Sequence, residues 1–112
     1  METNLPSPVA AYLEANARLD ADGMLATFAP GAVVRDEGAR RVGHDALRAW
    51  ILSATIGNRA IFTPDGWRQE DGNTVVEGPV AGDFPGSPIR FAFRFEVQDG
   101  AISALEIHDI PA

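Results

Sequence analysis

The stretch Ile89-Arg90-Phe91-Ala92-Phe93-Arg94-Phe95-Glu96-Val97 decides the fold of this chain. Its apolar residues (Ile89, Phe91, Phe93, Phe95, Val97) alternate strictly with Arg90, Ala92, Arg94 and Glu96. Successive side chains of a strand point to opposite faces, so this period of two predicts a strand with one apolar and one wetted face. Gln98-Asp99-Gly100 reads as a tight turn, and residues 102–110 follow as the hairpin partner. Upstream, residues 60–63, 67–70 and 74–77 are also strand-like. Pro64-Asp65-Gly66, Asp71-Gly72-Asn73 and the loop from Gly82 to Pro88 separate them.

Before residue 58 the grammar is helical. Residues 9–18 contain no Gly or Pro and place Val9, Tyr12 and Leu13 on one face, with Asn16 and Ala17 beside them. Asp20 is suited to cap a short second helix carrying Met24, Leu25 and Phe28, which Pro30-Gly31 is expected to stop. Residues 32–35 form a short strand, Asp36-Glu37-Gly38 a turn, and Arg41-Val42 a brief return. Asp45 is expected to cap a third helix over residues 46–54, with Leu47, Trp50 and Ile51 on one face. Helices followed by a run of antiparallel strands define an α+β domain, the helices packed on one face of a curved sheet. Such a sheet is concave, and its interior suits a small apolar ligand. Residues 1–8, with two prolines, read as a flexible N-terminus, and residues 9–112 as a single domain.

Composition narrows the function classes. The 112 residues carry a net charge of −7, and all 9 basic residues are arginines scattered along the chain. Neither phosphate tracking on nucleic acid nor docking to an anionic membrane fits that pattern. There is no cysteine, which removes thiolate nucleophiles and zinc–thiolate sites and fits a cytoplasmic setting. No apolar run approaches the ~18 residues of a membrane span, and no signal peptide is visible. Phosphate loops, dinucleotide fingerprints and a serine elbow are also missing. His44, near Asp36 and Glu37, lacks metal-ligand spacing, so neither metal nor cofactor is expected.

The order of elements, with Phe28-Ala29-Pro30-Gly31-Ala32-Val33-Val34 and Gly43-His44-Asp45-Ala46-Leu47-Arg48-Ala49-Trp50, resembles the SnoaL-like branch of the NTF2-like superfamily over residues 9–110. The resemblance implies a cystatin-like cone shared with ketosteroid isomerases: about three N-terminal helices on a strongly curved antiparallel sheet. It also implies a homodimer formed through the outer face of residues 89–97 and 102–110. Tyr12 and Asp36 stand 24 positions apart, the separation of the isomerases' hydroxyl donor and catalytic base. The isomerases' second oxyanion donor, a protonated Asp, falls here at about Phe91, so half of that oxyanion hole is missing.

Residue chemistry gives each candidate two readings. Asp36 is either a turn residue or a partly desolvated carboxylate able to shuttle a proton beside a carbonyl. Tyr12 is either a core ring or a donor to a developing enolate oxygen. His108 is either solvent-facing or, with Glu106 and Ile110 turned inward, an acid–base partner of Asp36 for a dehydratase or cyclase. Trp50, Phe62, Trp67, Phe84 and Phe91, with Phe93 and Phe95, are candidates for a ligand wall, against an ordinary core. A small apolar or carbonyl-containing molecule is the expected partner. Three functions remain open: a cofactor-free isomerase, a non-catalytic binder of an apolar ligand, and a protein-interaction scaffold.

Overall fold

The computed structural model describes residues 5–36 and 38–110; Glu37, the four N-terminal residues and the two C-terminal residues lie outside the described chain. Helix α1 spans Ser7–Ala17 and starts directly after Pro6, with Pro8 in its first turn. Proline is tolerated there because the first N–H groups of a helix have no intrahelical acceptor. The flexible tail expected over residues 1–8 is therefore too long: Ser7 and Pro8 are helical, and Leu5 packs against the core.

Helix α2 spans Ala21–Ala26, capped as expected by Asp20, whose carboxylate accepts the Gly23 N–H at 3.0 Å. Pro30 and Gly31 do not end it. They lie inside strand β1, Phe28–Asp36, where pairing is interrupted between Phe28 and Val33. Proline donates nothing to a ladder and is accommodated at such an irregularity. Strand β2 (Ala39–Val42) returns alongside β1, and helix α3 covers His44–Trp50. Gly43 at φ +88°, rather than Asp45, caps α3: its carbonyl accepts the Leu47 N–H at 2.9 Å. Asp45 falls in the first turn, where a carboxylate complements the helix dipole. From Ile51 to Ile56 the helix widens into π geometry.

The remaining strands are β3 (Ile61–Phe62), β4 (Gly66–Glu70), β5 (Asn73–Ala81), β6 (Ile89–Gln98) and β7 (Ala101–Asp109). Their order is β2-β1-β7-β6-β5-β3, with β4 also on β5. Every pairing is antiparallel except β1 with β7, which run parallel. The sheet is thus mixed, not antiparallel. Adjacent strands joined by hairpins must reverse direction, whereas β1 and β7 have the whole domain between them and are free to align. Strands β3 and β4 share one edge of β5 and are joined by a bend over Gly78, where the Thr63 carbonyl and Pro64 backbone occupy the place of a Cβ.

The alternation in β6 holds. Phe93 and Phe95 are buried, while Arg90 and Arg94 lie outside, paired with Asp65 and Glu70. Register extends the apolar face: Phe95 stands beside Leu105, which stands beside Val34. Helix α1 lies across β3 and β7, and its Val9 joins Met24, Leu47, Ile51 and Ile102 in the fully buried core.

Candidate functional site

The row next to that core contains the candidate site residues. Val34 of β1 points inward, and Asp36, two residues further, lies on the same face beside Ile107 of β7. Trp50 occupies the last position of α3 and is 3% exposed. Its indole N–H donates to Asp36 Oδ2 at 2.9 Å. One carboxylate oxygen is thereby fixed by a neutral donor rather than a guanidinium.

Tyr12 reaches the same space from α1. Its ring packs edge-on to Phe28 and Phe95, with centroids 5.8 and 5.5 Å away. Burial holds the phenol well above the ordinary tyrosine value near 10.0, and the negative charge of Asp36 adds to the shift. The hydroxyl therefore keeps its proton through the physiological range.

Tyr12 and Asp36 both line a cavity of about 300 Å³. That is the small end of the size range of ligand pockets. Of the residues expected in its wall, Trp50, Phe62, Phe84 and Phe91 are there. Trp67 is not. It lies on β4, outside the cavity, and is 38% exposed. Strand parity decides the same question for His108. Leu105 and Ile107 face inward, so Glu106 and His108 face outward. The imidazole contacts Glu106 Oε1 at 3.2 Å with its side chain 61% exposed. His108 stays out of the cavity itself; it lines an adjoining rim pocket together with Asp36, Gly38 and Asp109, its imidazole turned to Glu106. His44 is tied to the Phe28 carbonyl at 2.9 Å, and no metal-binding cluster of His, Asp or Glu occurs among the described residues.

Phe93, also a candidate for the wall, stacks on Phe62 with centroids 4.1 Å apart and forms part of it; Phe95 packs in the core instead. Other cavity residues lay outside the sequence reading. Ile107 enters beside Asp36, a position the parity of Leu105 would have given. Asn16 also borders the cavity, yet its amide is already used. Nδ2 donates to the Ala60 carbonyl at 3.0 Å, and Oδ1 accepts the Phe62 N–H at 2.8 Å. It ties α1 to the sheet rather than awaiting a ligand. The wide π turn carries Ala54 and Thr55 into the wall. Phe91 contributes only hydrocarbon to the wall.

Three helices closing one side of a strongly curled mixed sheet, with a small cavity between them, define the NTF2-like cone, the architecture also called ketosteroid isomerase-like. The chain belongs to the SnoaL-like domain family, whose pattern it matches over residues 9–105. It is similar to a Sinorhizobium meliloti protein provisionally described as a polyketide cyclase, with 37% identity, 94% of this chain and 96% of that one covered, and a TM-score of 0.87. A Catenulispora acidiphila protein with a ketosteroid isomerase-like fold, solved with trimethylamine, shares the fold at 17% identity, covering 94% and 86% of the chains with a TM-score of 0.78. TerC, co-crystallised with polyporic acid, does so at 14% identity, with 93% and 89% covered and a TM-score of 0.78. No protein of curated function matches the sequence.

Proposed function

We propose that the cavity catalyses proton abstraction from a carbon next to a carbonyl, without a cofactor. The observation that carries this reading is the convergence of Asp36 and Tyr12 on one apolar cavity, the carboxylate oriented by Trp50. Asp36 takes the α-proton and becomes the neutral acid. The electron pair of the broken C–H bond forms the enolate, whose oxygen accepts a hydrogen bond from the Tyr12 hydroxyl. Asp36 then returns the proton to another carbon, which completes an isomerisation. If the enolate carbon instead attacks a second carbonyl of the same molecule, that carbonyl's π pair moves to its oxygen, Asp36 gives the abstracted proton to the new alkoxide, and the result is ring closure to a hydroxyketone; the likeness to a provisionally described polyketide cyclase favours that branch. Electrostatic support of the enolate by a preplaced donor is commonly the largest contribution to such steps.

The cavity suits a small, largely apolar carbonyl compound. We further propose a cytoplasmic homodimer assembled through the outer face of β6 and β7, engaging neither nucleic acid nor membrane. Among the described residues no helix is long and apolar enough to cross a membrane.

The deciding experiment follows conjugation of β,γ-unsaturated ketones, and cyclisation of linear β-polyketones, by ultraviolet absorbance, with wild type beside Asp36→Asn. Turnover that disappears in the variant supports the reading. Turnover unchanged in Asp36→Asn overturns it. Ligand binding without turnover in either protein selects the non-catalytic binder, the role that Phe91 in place of a second donor favours.

A further inference from the structure

The cavity has a charge pattern that its proposed chemistry does not require. Among the described residues Asp36 is the only charged side chain in the wall, since Tyr12 stays neutral. Its bonded partner is an uncharged indole. Aromatic rings from every layer surround the same space: Tyr12 from α1, Trp50 from α3, Phe62 from β3, Phe84 from the β5–β6 loop, Phe91 and Phe93 from β6. No arginine lines either the cavity or its rim among the described residues. The nearest outward arginines of β6 are committed elsewhere, Arg90 to Asp65 at 2.6 Å and Arg94 to Glu70 at 2.7 Å. The rim adds another carboxylate, Asp109, and an imidazole that is turned onto Glu106.

A carboxylate without a cation, enclosed by aromatic rings, complements an organic cation. Ring faces carry negative potential and attract ammonium groups, most strongly where water is excluded. The net charge of −7 favours the approach of cations and opposes that of anions. A metal ion fits poorly, because one carboxylate and hydrocarbon walls do not replace its hydration shell. An alkylated ammonium has a weakly bound shell and apolar substituents that the rings accept. The volume of about 300 Å³ exceeds a bare ammonium head, leaving room for an attached ring.

We propose that this cavity binds hydrophobic tertiary and quaternary ammonium ions, with the cationic nitrogen against Asp36 and its substituents against Trp50, Tyr12, Phe62 and Phe91. The proposal rests on the same cavity as the proton-transfer reading but not on turnover. A bound ammonium occupies the position of the abstracted proton and blocks that chemistry.

The test compares probes of one shape by titration calorimetry and quenching of tryptophan fluorescence: benzyltrimethylammonium, its neutral carbon isostere neopentylbenzene, and the anion 3-phenylpropanoate. Wild type should bind the cation about tenfold or more tighter than the neutral isostere, and the anion not measurably. In Asp36→Asn, checked for fold by circular dichroism, the cation should fall to the affinity of the isostere. Equal affinity for cation and isostere in wild type overturns the proposal, whatever the variant does. So does a cation affinity that Asp36→Asn leaves unchanged. Cation binding by a protein with no turnover would sink the catalytic reading alone; turnover with no cation preference would sink this proposal alone.

Discussion

The indole N–H of Trp50 meets the carboxylate of Asp36 at 2.9 Å, joining the end of α3 to the end of β1 across 14 residues of sequence. Both belong to the stretch that contains the SnoaL-like resemblance, and their bond sets one oxygen of the only charged group lining the cavity among the described residues. Replacing Trp50 by Phe keeps much of the ring and removes the donor. Turnover should fall about tenfold as Asp36 loses its fixed orientation. Stability should fall by about 1–2 kcal/mol, as for a hydrogen bond to a partly exposed charge. Urea unfolding beside kcat and KM measures both effects, and an unchanged kcat would show that the contact only fills space.

Asp36→Asn keeps an oxygen to accept the Trp50 N–H and removes the base. Turnover should drop by about 10²–10⁴, the usual contribution of a general base, while the midpoint of thermal unfolding moves little.

Tyr12 is the only tyrosine, so phenolate absorbance reports on this one residue. Its pKa is raised in the folded protein, so above the unfolded value near 10.0 the unfolded chain holds fewer protons than the native one. The stability this group contributes is present in full below pH ~10 and declines as pH rises further. Native protein should show no phenolate near pH 10, and the signal should appear together with loss of the native circular dichroism. Tyr12→Phe should flatten that alkaline decline. A simple titration near pH 10 in folded protein would place the hydroxyl in water.

Two glycines of the same paired edge should behave oppositely. At Gly78 a methyl group would collide with the Thr63 carbonyl and lie 2.9 Å from the Cα of Pro64, both backbone atoms that cannot turn aside. Gly78→Ala should cost about 3 kcal/mol or more. Gly66, across the ladder at Glu77, has nothing within 4 Å of its would-be Cβ. Gly66→Ala should be neutral or slightly stabilising, within ~0.5 kcal/mol. Equal costs at the two sites would rule out the bend as the reason for Gly78.

Much of the architecture was legible because period and punctuation are local signals. The strand of Phe91, Phe93 and Phe95, the cap at Asp20 and the Gln98-Asp99-Gly100 hairpin could all be read from neighbours in sequence. The direction of β1 against β7 could not, since no turn connects them. Nor could the π turn after Trp50, which continues an ordinary helical pattern. At the site, Tyr12 and Asp36 were found through their spacing and resemblance, and the cavity holds both. Trp67 was misplaced because an aromatic residue on an edge strand has the same composition signal as one on a central strand. At His108 the apolar pair Leu105 and Ile107 sets the parity that turns the imidazole outward to Glu106, and only the rim pocket brings it alongside Asp36. The Trp50–Asp36 bond left no sequence trace beyond two compatible side chains.

The parallel seam between β1 and β7 has a consequence for biosynthesis. Asp36 leaves the ribosome long before Ile107, its neighbour in the sheet. Until the last strand emerges, β1 has only β2 beside it, and Val34 and Phe28 lack the partners that cover them. The helices and the strands from β3 to β6 can begin to condense during translation, but the Asp36 carboxylate gains its surroundings only after synthesis is almost complete. Nascent chains stalled before Ala101 should therefore carry every candidate catalytic residue of the cavity and still have no cavity. Such chains expose an unpaired apolar strand edge, the kind of surface that chaperones shield.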